Sequence, residues 1–230
     1  MLAAATMAGG LWLALSSPPD AVQGDFVRIL YIHVPSAWLA FLAFGITAAG
    51  SLAWRMTRRQ RFDDLAAASA EVGVLFTVIT LLTGSIWGRP VWGVWWSWGD
   101  ARLSTTALML FVYLGYLALR RAVEDPERRA RLASVLGLVA VVQIPLVYFS
   151  VNLWRTLHQT QTIRPDGPQM DREMVAALLV NVAAFTLLYV ALVAARLRVG
   201  RAEAAASEVN AGPAGAAVGV PQLGGGPDVA

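Results

Sequence analysis

Long apolar stretches alternate with short polar segments along most of the 230-residue chain. A helix needs about 20 mostly apolar residues to cross a bilayer. Six stretches reach or approach that length, at about residues 1–16, 35–54, 65–86, 104–119, 132–150 and 174–195. Because the stretches recur along the chain, we predict one all-α polytopic membrane domain with six transmembrane helices over residues 1–201.

The two ends of the chain differ from this pattern. The first stretch is short and has no basic residue before it, and residues 16–19 make a weak signal-peptidase site. We therefore expect a first span that is shortened at its start, and not a cleaved signal peptide. After Arg201 the chain is rich in Ala, Gly, Val and Pro without periodicity, which predicts a disordered cytoplasmic tail over residues 202–230.

The composition agrees with lipid as the main solvent. Hydrophobic residues make up 57% of the chain and charged residues only 14%, whereas a soluble domain carries about 25% charged residues. Cysteine is absent, which excludes structural disulfides, thiolate metal sites and thiol redox chemistry. The arginines lie between the apolar stretches and not along one face, so a nucleic-acid surface is not indicated.

The arginines predict the orientation. Twelve of the 18 basic residues follow the second, fourth and sixth stretches, and these are Arg55, Arg58, Arg59, Arg61, Arg120, Arg121, Arg128, Arg129, Arg131, Arg196, Arg198 and Arg201. The other six are Arg28, Arg89, Arg102, Arg155, Arg164 and Arg172. Since arginine-rich short loops stay in the cytoplasm, we predict cytoplasmic termini and outer loops at residues 17–34, 87–103 and 151–173.

This orientation brings a tryptophan-rich loop to the outer face. Five of the nine tryptophans fall within twelve residues, and they are Trp87, Trp92, Trp95, Trp96 and Trp98. A belt of interfacial anchors would be spread over all span ends. Trp92, Trp95 and Trp96 stand at i, i+3 and i+4 and would share one flat face in a helical turn, which suits a large planar apolar ligand. Asp100 is a candidate N-cap of the fourth span.

The only two histidines are predicted on the same face. His33 precedes the second span and His158 follows the fifth. A lone interfacial histidine usually only forms hydrogen bonds, but two neutral imidazoles can occupy both axial positions of a haem iron. A zinc site stays open if carboxylates complete it, the candidates being Asp25, Asp100, Asp166 and Asp171. A serine-type triad lacks a recognisable nucleophile turn.

Three outer arginines are candidates for contact with the propionate groups of a haem, because guanidinium groups pair well with carboxylates. Arg28 lies five residues before His33, and Arg89 and Arg102 bracket the tryptophans. Each fits the plain role of an interfacial anchor as well.

Two features inside the spans are less closely connected with chemistry. The small residues Gly45, Ala48, Ala49 and Gly50 indicate close helix packing, with another subunit as one candidate partner. Glu71 lies in the third stretch near its cytoplasmic end, where a contact with a partner subunit is one interpretation.

Several segments resemble a known family. Residues 87–103, WGRPVWGVWWSWGDARL, resemble the tryptophan-rich WWD signature of the haem-handling protein family. The segments RILYIHVPSAW at 28–38, LLTGSIWGRPVWG at 81–93 and FSVNLWRTLHQ at 149–159 are similar to the branch that serves cytochrome c maturation. The likeness covers about residues 24–195.

The resemblance implies a bacterial inner-membrane protein that holds haem b at its outer, periplasmic face between two axial histidines and the WWD loop. The axial ligands carried over by position are His33 and His158, and Arg28 and Arg102 match basic residues beside the haem. The signature comprises Trp87, Trp92, Trp95, Trp96, Trp98 and Asp100.

The resemblance also implies partners. A periplasmic haem chaperone, CcmE, receives the haem, and the ABC transporter subunits CcmA and CcmB and the small membrane protein CcmD complete the assembly. ATP hydrolysis is implied for CcmA. This chain has no phosphate loop and is not expected to be an enzyme by itself.

One position departs from the family pattern. The signature usually runs from Trp directly into Asp, whereas Gly99 separates Trp98 from Asp100. If the segment is helical, the extra residue would turn Asp100 by about 100°, which argues against a direct role of that carboxylate but not against the site as a whole. The alternative is that the glycine absorbs the insertion as a bulge or cap.

Three rival functions follow from the same residues. A transporter that carries haem across the bilayer would need a polar path, and the spans hold few polar residues. A cytochrome c synthetase that attaches haem itself resembles larger chains with more histidines. A structural membrane subunit without a ligand would use the tryptophans only as anchors.

Overall fold

The computed structural model describes residues 2–158, 163–164, 167–168 and 170–211. Within these residues the chain forms seven α-helices, which are α1 Leu2–Ser16, α2 Leu30–Thr57, α3 Gln60–Trp92, α4 Ala101–Ala122, α5 Pro126–Ala140, α6 Gln143–Leu153 and α7 Arg172–Ala211. A 3₁₀ helix, Asp25–Ile29, leads directly into α2. Ile163–Arg164 pairs antiparallel with Gly167–Pro168 in a minimal hairpin, β1 and β2.

Five helical segments among the described residues are long and apolar enough to cross a membrane. They are Asp25–Thr57, Gln60–Trp92, Ala101–Ala122, Pro126–Leu153 and Arg172–Ser207. The apolar helix α1 has 15 residues and a length of about 22 Å, less than the roughly 30 Å hydrocarbon core. The prediction of an all-α polytopic membrane protein is confirmed.

The helix α2 lies at the centre of the bundle. It packs along α3 and also contacts α5 and α7, while α4 contacts α3, α5 and α6, and α1 packs on α7. Phe44 of α2 is fully buried and stacks on Tyr113 of α4, with ring centroids 3.4 Å apart. A Cβ on Gly73 would lie 2.6 Å from the Phe44 ring, so a small residue is needed for the approach of α3 to α2.

Ion pairs between charged side chains connect helices of the bundle. Arg120 at the end of α4 donates two hydrogen bonds, of 2.6 and 2.7 Å, to the carboxylate of Asp63 at the start of α3. Glu71, a candidate contact to a partner subunit, accepts a hydrogen bond from Arg196 of α7 at 2.5 Å. Ion pairing within the chain is therefore sufficient to account for an acid in this span.

The helix ends near the predicted outer loops differ from the prediction. The helix α2 begins at Leu30, because the 3₁₀ helix continues into it, so His33 lies on a helix and not in a loop over residues 17–34. The helix α3 continues to Trp92, and α4 begins at Ala101. The non-helical part of the predicted 87–103 loop is thus shorter, at residues 93–100.

The fifth predicted span, residues 132–150, consists of two helices. Pro145 has no N–H to donate to the carbonyl of Val141. The chain forms tighter bonds at this point, from Val142 N to Val139 O at 3.3 Å and from Ile144 N to Val141 O at 3.0 Å. Both helices of this span, α5 and α6, contact α4.

The predicted disordered tail is wrong over residues 202–211. These residues continue α7 to Ala211, since Ala and Glu, which dominate them, are strong helix formers. The rest of the predicted tail, residues 212–230, lies outside the described residues.

Candidate functional site

A cavity of about 270 Å³ is lined by both histidines. It lies at the end of the bundle that carries the tryptophans of residues 87–98. Its walls come from α2, α3, α4, α6 and the segment after α6. Most lining side chains are apolar or small, among them Val34, Ala37, Trp38, Ala40, Phe41, Leu81, Gly84, Leu103, Met109 and Val147. The polar lining comes from three threonines together with His33, His158, Arg102 and Tyr148. The cavity is thus an apolar space with two imidazoles and one guanidinium in its wall.

His33 is held from α3. Its Nδ1 lies 3.1 Å from Thr83 Oγ1, and the Thr83 hydroxyl donates to the carbonyl of Ile79 at 2.7 Å. Because the single hydroxyl hydrogen is used there, Thr83 accepts the hydrogen of His33 Nδ1. Trp87 presents an edge contact to the same ring at 5.7 Å. In the neutral ring this leaves Nε2 of His33 as the unprotonated nitrogen, the one that can bind a metal.

His158 is held from the start of α4. Its Nδ1 lies 3.1 Å from Oδ1 of Asp100, and the Trp92 ring contacts the imidazole with centroids 4.7 Å apart. Burial lowers the pKa of His158, and the Asp100 carboxylate opposes that shift without reversing it. The imidazole is therefore neutral at neutral pH, with its hydrogen on Nδ1 and Nε2 free.

Asp100 is the centre of a buried network. It is the N-cap of α4, as predicted, and accepts hydrogen bonds from Leu103 N at 2.9 Å, Leu157 N at 2.6 Å and Thr156 Oγ1 at 2.5 Å. Burial raises the pKa of Asp100, but these hydrogen bonds and the nearby His158 bring it below its ordinary value. The carboxylate thus stays ionised.

The condition for a rotation of Asp100 by Gly99, a helical segment, is not met. Residues 93–100 are not helical, so an added residue does not turn the next side chain by a fixed angle. Gly99 precedes the N-cap, and the Asp100 side chain, with no exposed surface, reaches His158 directly.

The tryptophans divide into two groups. Trp87 and Trp92 lie on the last turns of α3, and each contacts one of the histidines. Trp95, Trp96 and Trp98 lie in the non-helical segment, where Trp96 and Trp98 contact each other edge to face at 5.1 Å. Their side chains are 59% exposed at position 95 and 73% exposed at position 98.

The predicted helical face of Trp92, Trp95 and Trp96 is wrong. Gly93 adopts φ 78° and ends α3, with its N–H bonded to the Arg89 carbonyl. A residue without Cβ takes this conformation at little cost, which the sequence pattern of tryptophans alone does not reveal.

Of the three candidate arginines, Arg102 lines the cavity. It donates from Nη2 to the Tyr148 carbonyl at 2.9 Å, and its buried Nε has no partner among the described residues. Arg28 pairs with Asp25 at 3.1 Å, and Arg89 donates to the Gly93 carbonyl. Neither Arg28 nor Arg89 belongs to the cavity wall that the structure describes.

Several residues of the site were not singled out from the sequence. Thr83 and Gly84 contact His33, and Trp38 and Tyr148 line the cavity. A signal was available for two of them, because Thr83 and Gly84 precede Trp87 by four and three residues and so share its helix face.

The zinc alternative finds little support. In the part of the chain that the structure describes, no group of three or more His, Cys, Asp or Glu side chains could hold a metal ion. Asp166, one of the candidate ligands, lies outside the described residues.

These features define the class: a polytopic helical membrane protein with two histidines and an arginine in the wall of one apolar cavity. The family model of CcmC, haem exporter protein C, matches residues 1–211. The chain belongs to this family.

Individual relatives of the chain carry the name of this family or a related name. The chain is 45% identical to haem exporter protein C of Bradyrhizobium diazoefficiens over 201 residues, 86% of the chain and 76% of the relative. It is 39% identical to haem exporter protein C of Escherichia coli strain K12 over 194 residues, 83% of the chain and 76% of the relative. A putative cytochrome c biosynthesis ccmC-like mitochondrial protein of Marchantia polymorpha is 36% identical over 178 residues, 77% of the chain and 74% of the relative.

Proposed function

We propose that this protein binds haem b between His33 and His158 and presents it to the periplasmic haem chaperone CcmE for cytochrome c biogenesis. The observation that carries the proposal is the shared cavity: both histidines line it, and both have Nδ1 engaged by a hydrogen bond. Each thereby keeps Nε2 for an axial bond.

The chemistry of the cavity fits a haem. Its apolar wall suits the porphyrin edge, and two neutral imidazoles suit the iron. Arg102, with a buried Nε that has no partner among the described residues, is the natural contact for a propionate. Bound haem would supply an iron and a vinyl group for later attachment, while His33 and His158 of this chain would hold and orient it.

The exposed tryptophans are proposed as the surface on which CcmE meets the haem. Trp95 and Trp98 belong to the signature segment but are mostly exposed, unlike Trp87 and Trp92, which contact the histidines. Large rigid aromatic side chains are frequent in protein–protein contacts. We place this end of the bundle at the periplasmic face of the bacterial inner membrane, with six spans and both termini in the cytoplasm.

We assign energy coupling to partner subunits. The sequence has no phosphate-binding loop, so ATP hydrolysis falls to CcmA, with CcmB and CcmD as further membrane partners. In this scheme the chain is a haem-handling scaffold and not an enzyme.

We favour a protein that holds haem at one face of the membrane over a transporter that carries haem across the bilayer. The residues of α2 that line the cavity lie between His33 and Phe41, although α2 continues to Thr57. Those of α3 lie between Thr77 and Gly84, so the cavity belongs to one end of the bundle.

The visible spectrum tests the proposal. Protein purified from haem-replete cells, with its partners co-expressed, is expected to contain six-coordinate low-spin haem. His33→Ala and His158→Ala should weaken or abolish that spectrum, whereas Thr57→Ala at the opposite end of α2 should leave it intact. A colourless wild-type protein would overturn the proposal.

A further inference from the structure

The two histidines have unequal partners. Thr83, which accepts the Nδ1 hydrogen of His33, is a neutral hydroxyl whose own hydrogen goes to a backbone carbonyl. Asp100, which accepts that of His158, is a carboxylate. A carboxylate on the remote nitrogen of a metal-bound histidine raises the basicity of the ligating nitrogen more than a neutral acceptor does.

The negative charge of Asp100 is well secured. Three donors besides His158 converge on the carboxylate, namely Leu103 N, Leu157 N and Thr156 Oγ1. Its place at the N-terminus of α4 adds the favourable interaction of an anion with the helix dipole. Among the described residues His33 has no acidic partner, so the difference between the two imidazoles is built into their surroundings.

The segment that carries His158 is also fixed. His158 lies beyond the end of α6, where a side chain could move easily. Leu157 N donates to Asp100, and His158 N donates to Thr156 Oγ1 at 3.1 Å. The carboxylate that strengthens the imidazole therefore also holds its backbone in place.

We propose that His158 is the stronger axial ligand, which stays on the iron, and that His33 is the exchangeable ligand, so that an incoming ligand replaces it first. The inference rests on the proposed function. The exchange transfers no electrons: the bond from His33 Nε2 to iron breaks, and a bond from the incoming ligand forms.

Carbon monoxide identifies the ligand that stays. Bound to the reduced, haem-loaded full-length protein, CO displaces one histidine, and resonance Raman spectra after photolysis report the stretching frequency of the remaining iron–histidine bond. In Asp100→Asn, which keeps an N-cap oxygen but removes the charge, we expect this frequency to fall. In the matched variant Thr83→Val, which preserves shape, we expect it to stay unchanged.

A second measurement does not depend on the Asp100 variant. After washing of the purified protein, His33→Ala should retain severalfold more haem than His158→Ala. The inference is overturned if the iron–histidine frequency changes in Thr83→Val and not in Asp100→Asn, or if it changes in neither variant. It is also overturned if His158→Ala retains as much haem as His33→Ala. Wild-type protein without low-spin haem would overturn the proposed function as well, whereas a reversed pattern in haem-loaded protein would overturn only the inequality.

Discussion

Asp100 has two roles that a single buried carboxylate can serve together. As an N-cap it accepts the N–H of Leu103, and as a neighbour of the cavity it accepts the Nδ1 hydrogen of His158. The sequence predicts the first role from local spacing. The second depends on a residue in another part of the chain, and only the packing of the segment after α6 against α4 reveals it.

Gly84 sets the position of the His33 ring. A Cβ at this position would lie 3.0 Å from Cε1 of His33, and the ring is already held by Thr83 and Trp87. We predict that Gly84→Ala displaces the imidazole and weakens haem binding by about 1–3 kcal/mol. Haem titration of the purified protein measures this loss.

The matched control for Gly84→Ala is Gly115→Ala on α4, where a Cβ would meet no atom within 4 Å. Its haem affinity should equal that of the wild type. Unchanged affinity in Gly84→Ala would show that His33 does not need its present position.

At the scale of the helices, the small residues of α2 are not equivalent. A Cβ on Gly50 would lie 2.9 Å from the Phe62 carbonyl oxygen, whereas a Cβ on Gly45 would meet nothing within 4 Å. The predicted close packing is thus confirmed at Gly50, where α2 meets α3. At Gly45 nothing in the described chain requires it.

We predict that Gly50→Ala destabilises the protein by about 1–3 kcal/mol, because a backbone carbonyl cannot move aside as a side chain can. Gly45→Ala is the matched control in the same helix and should be nearly neutral. Unfolding of the two variants in detergent measures the difference, and equal stabilities would contradict the assigned packing of α2 on α3.

Loss of the ion pair between α3 and α4 should destabilise the protein more than the Gly50→Ala substitution does. The side chains of Asp63 and Arg120 are only 4% and 12% exposed, so removal of one charge leaves the other buried without a partner. We predict that Asp63→Asn costs about 3–5 kcal/mol of stability.

A double-mutant cycle tests this pair. Asp63→Asn combined with Arg120→Gln should cost less than the sum of the two single variants, because no uncompensated charge remains. Additive losses would mean that the two residues do not act as a pair.

For the whole molecule, the proposed orientation can be tested directly, since the chain has no cysteine. Val22 lies before α2 and is 92% exposed, and Met56 lies at the other end of α2 and is 77% exposed. In intact spheroplasts a membrane-impermeant maleimide should label Val22→Cys, and label Met56→Cys only after permeabilisation. The reverse pattern would overturn the proposed placement of the cavity at the periplasmic face.

The sequence by itself determined that the chain is a helical membrane protein and where the apolar stretches lie. The physical reason is local: a segment in lipid must satisfy its backbone internally, so length and hydropathy are enough to indicate a helix. It also predicted the N-cap at Asp100, because capping depends on neighbouring residues.

Tertiary structure decided how the site is assembled. The end of α3 at Gly93 and the break before α6 have local causes, the positive φ of Gly93 and the missing N–H of Pro145, but hydropathy alone does not locate them. The shared cavity of His33 and His158, in contrast, depends on how separate helices pack. The unequal partners Thr83 and Asp100 follow from the same packing, because each contacts its histidine across a long separation in the sequence. Hydropathy and periodicity describe one element at a time and therefore do not predict these contacts.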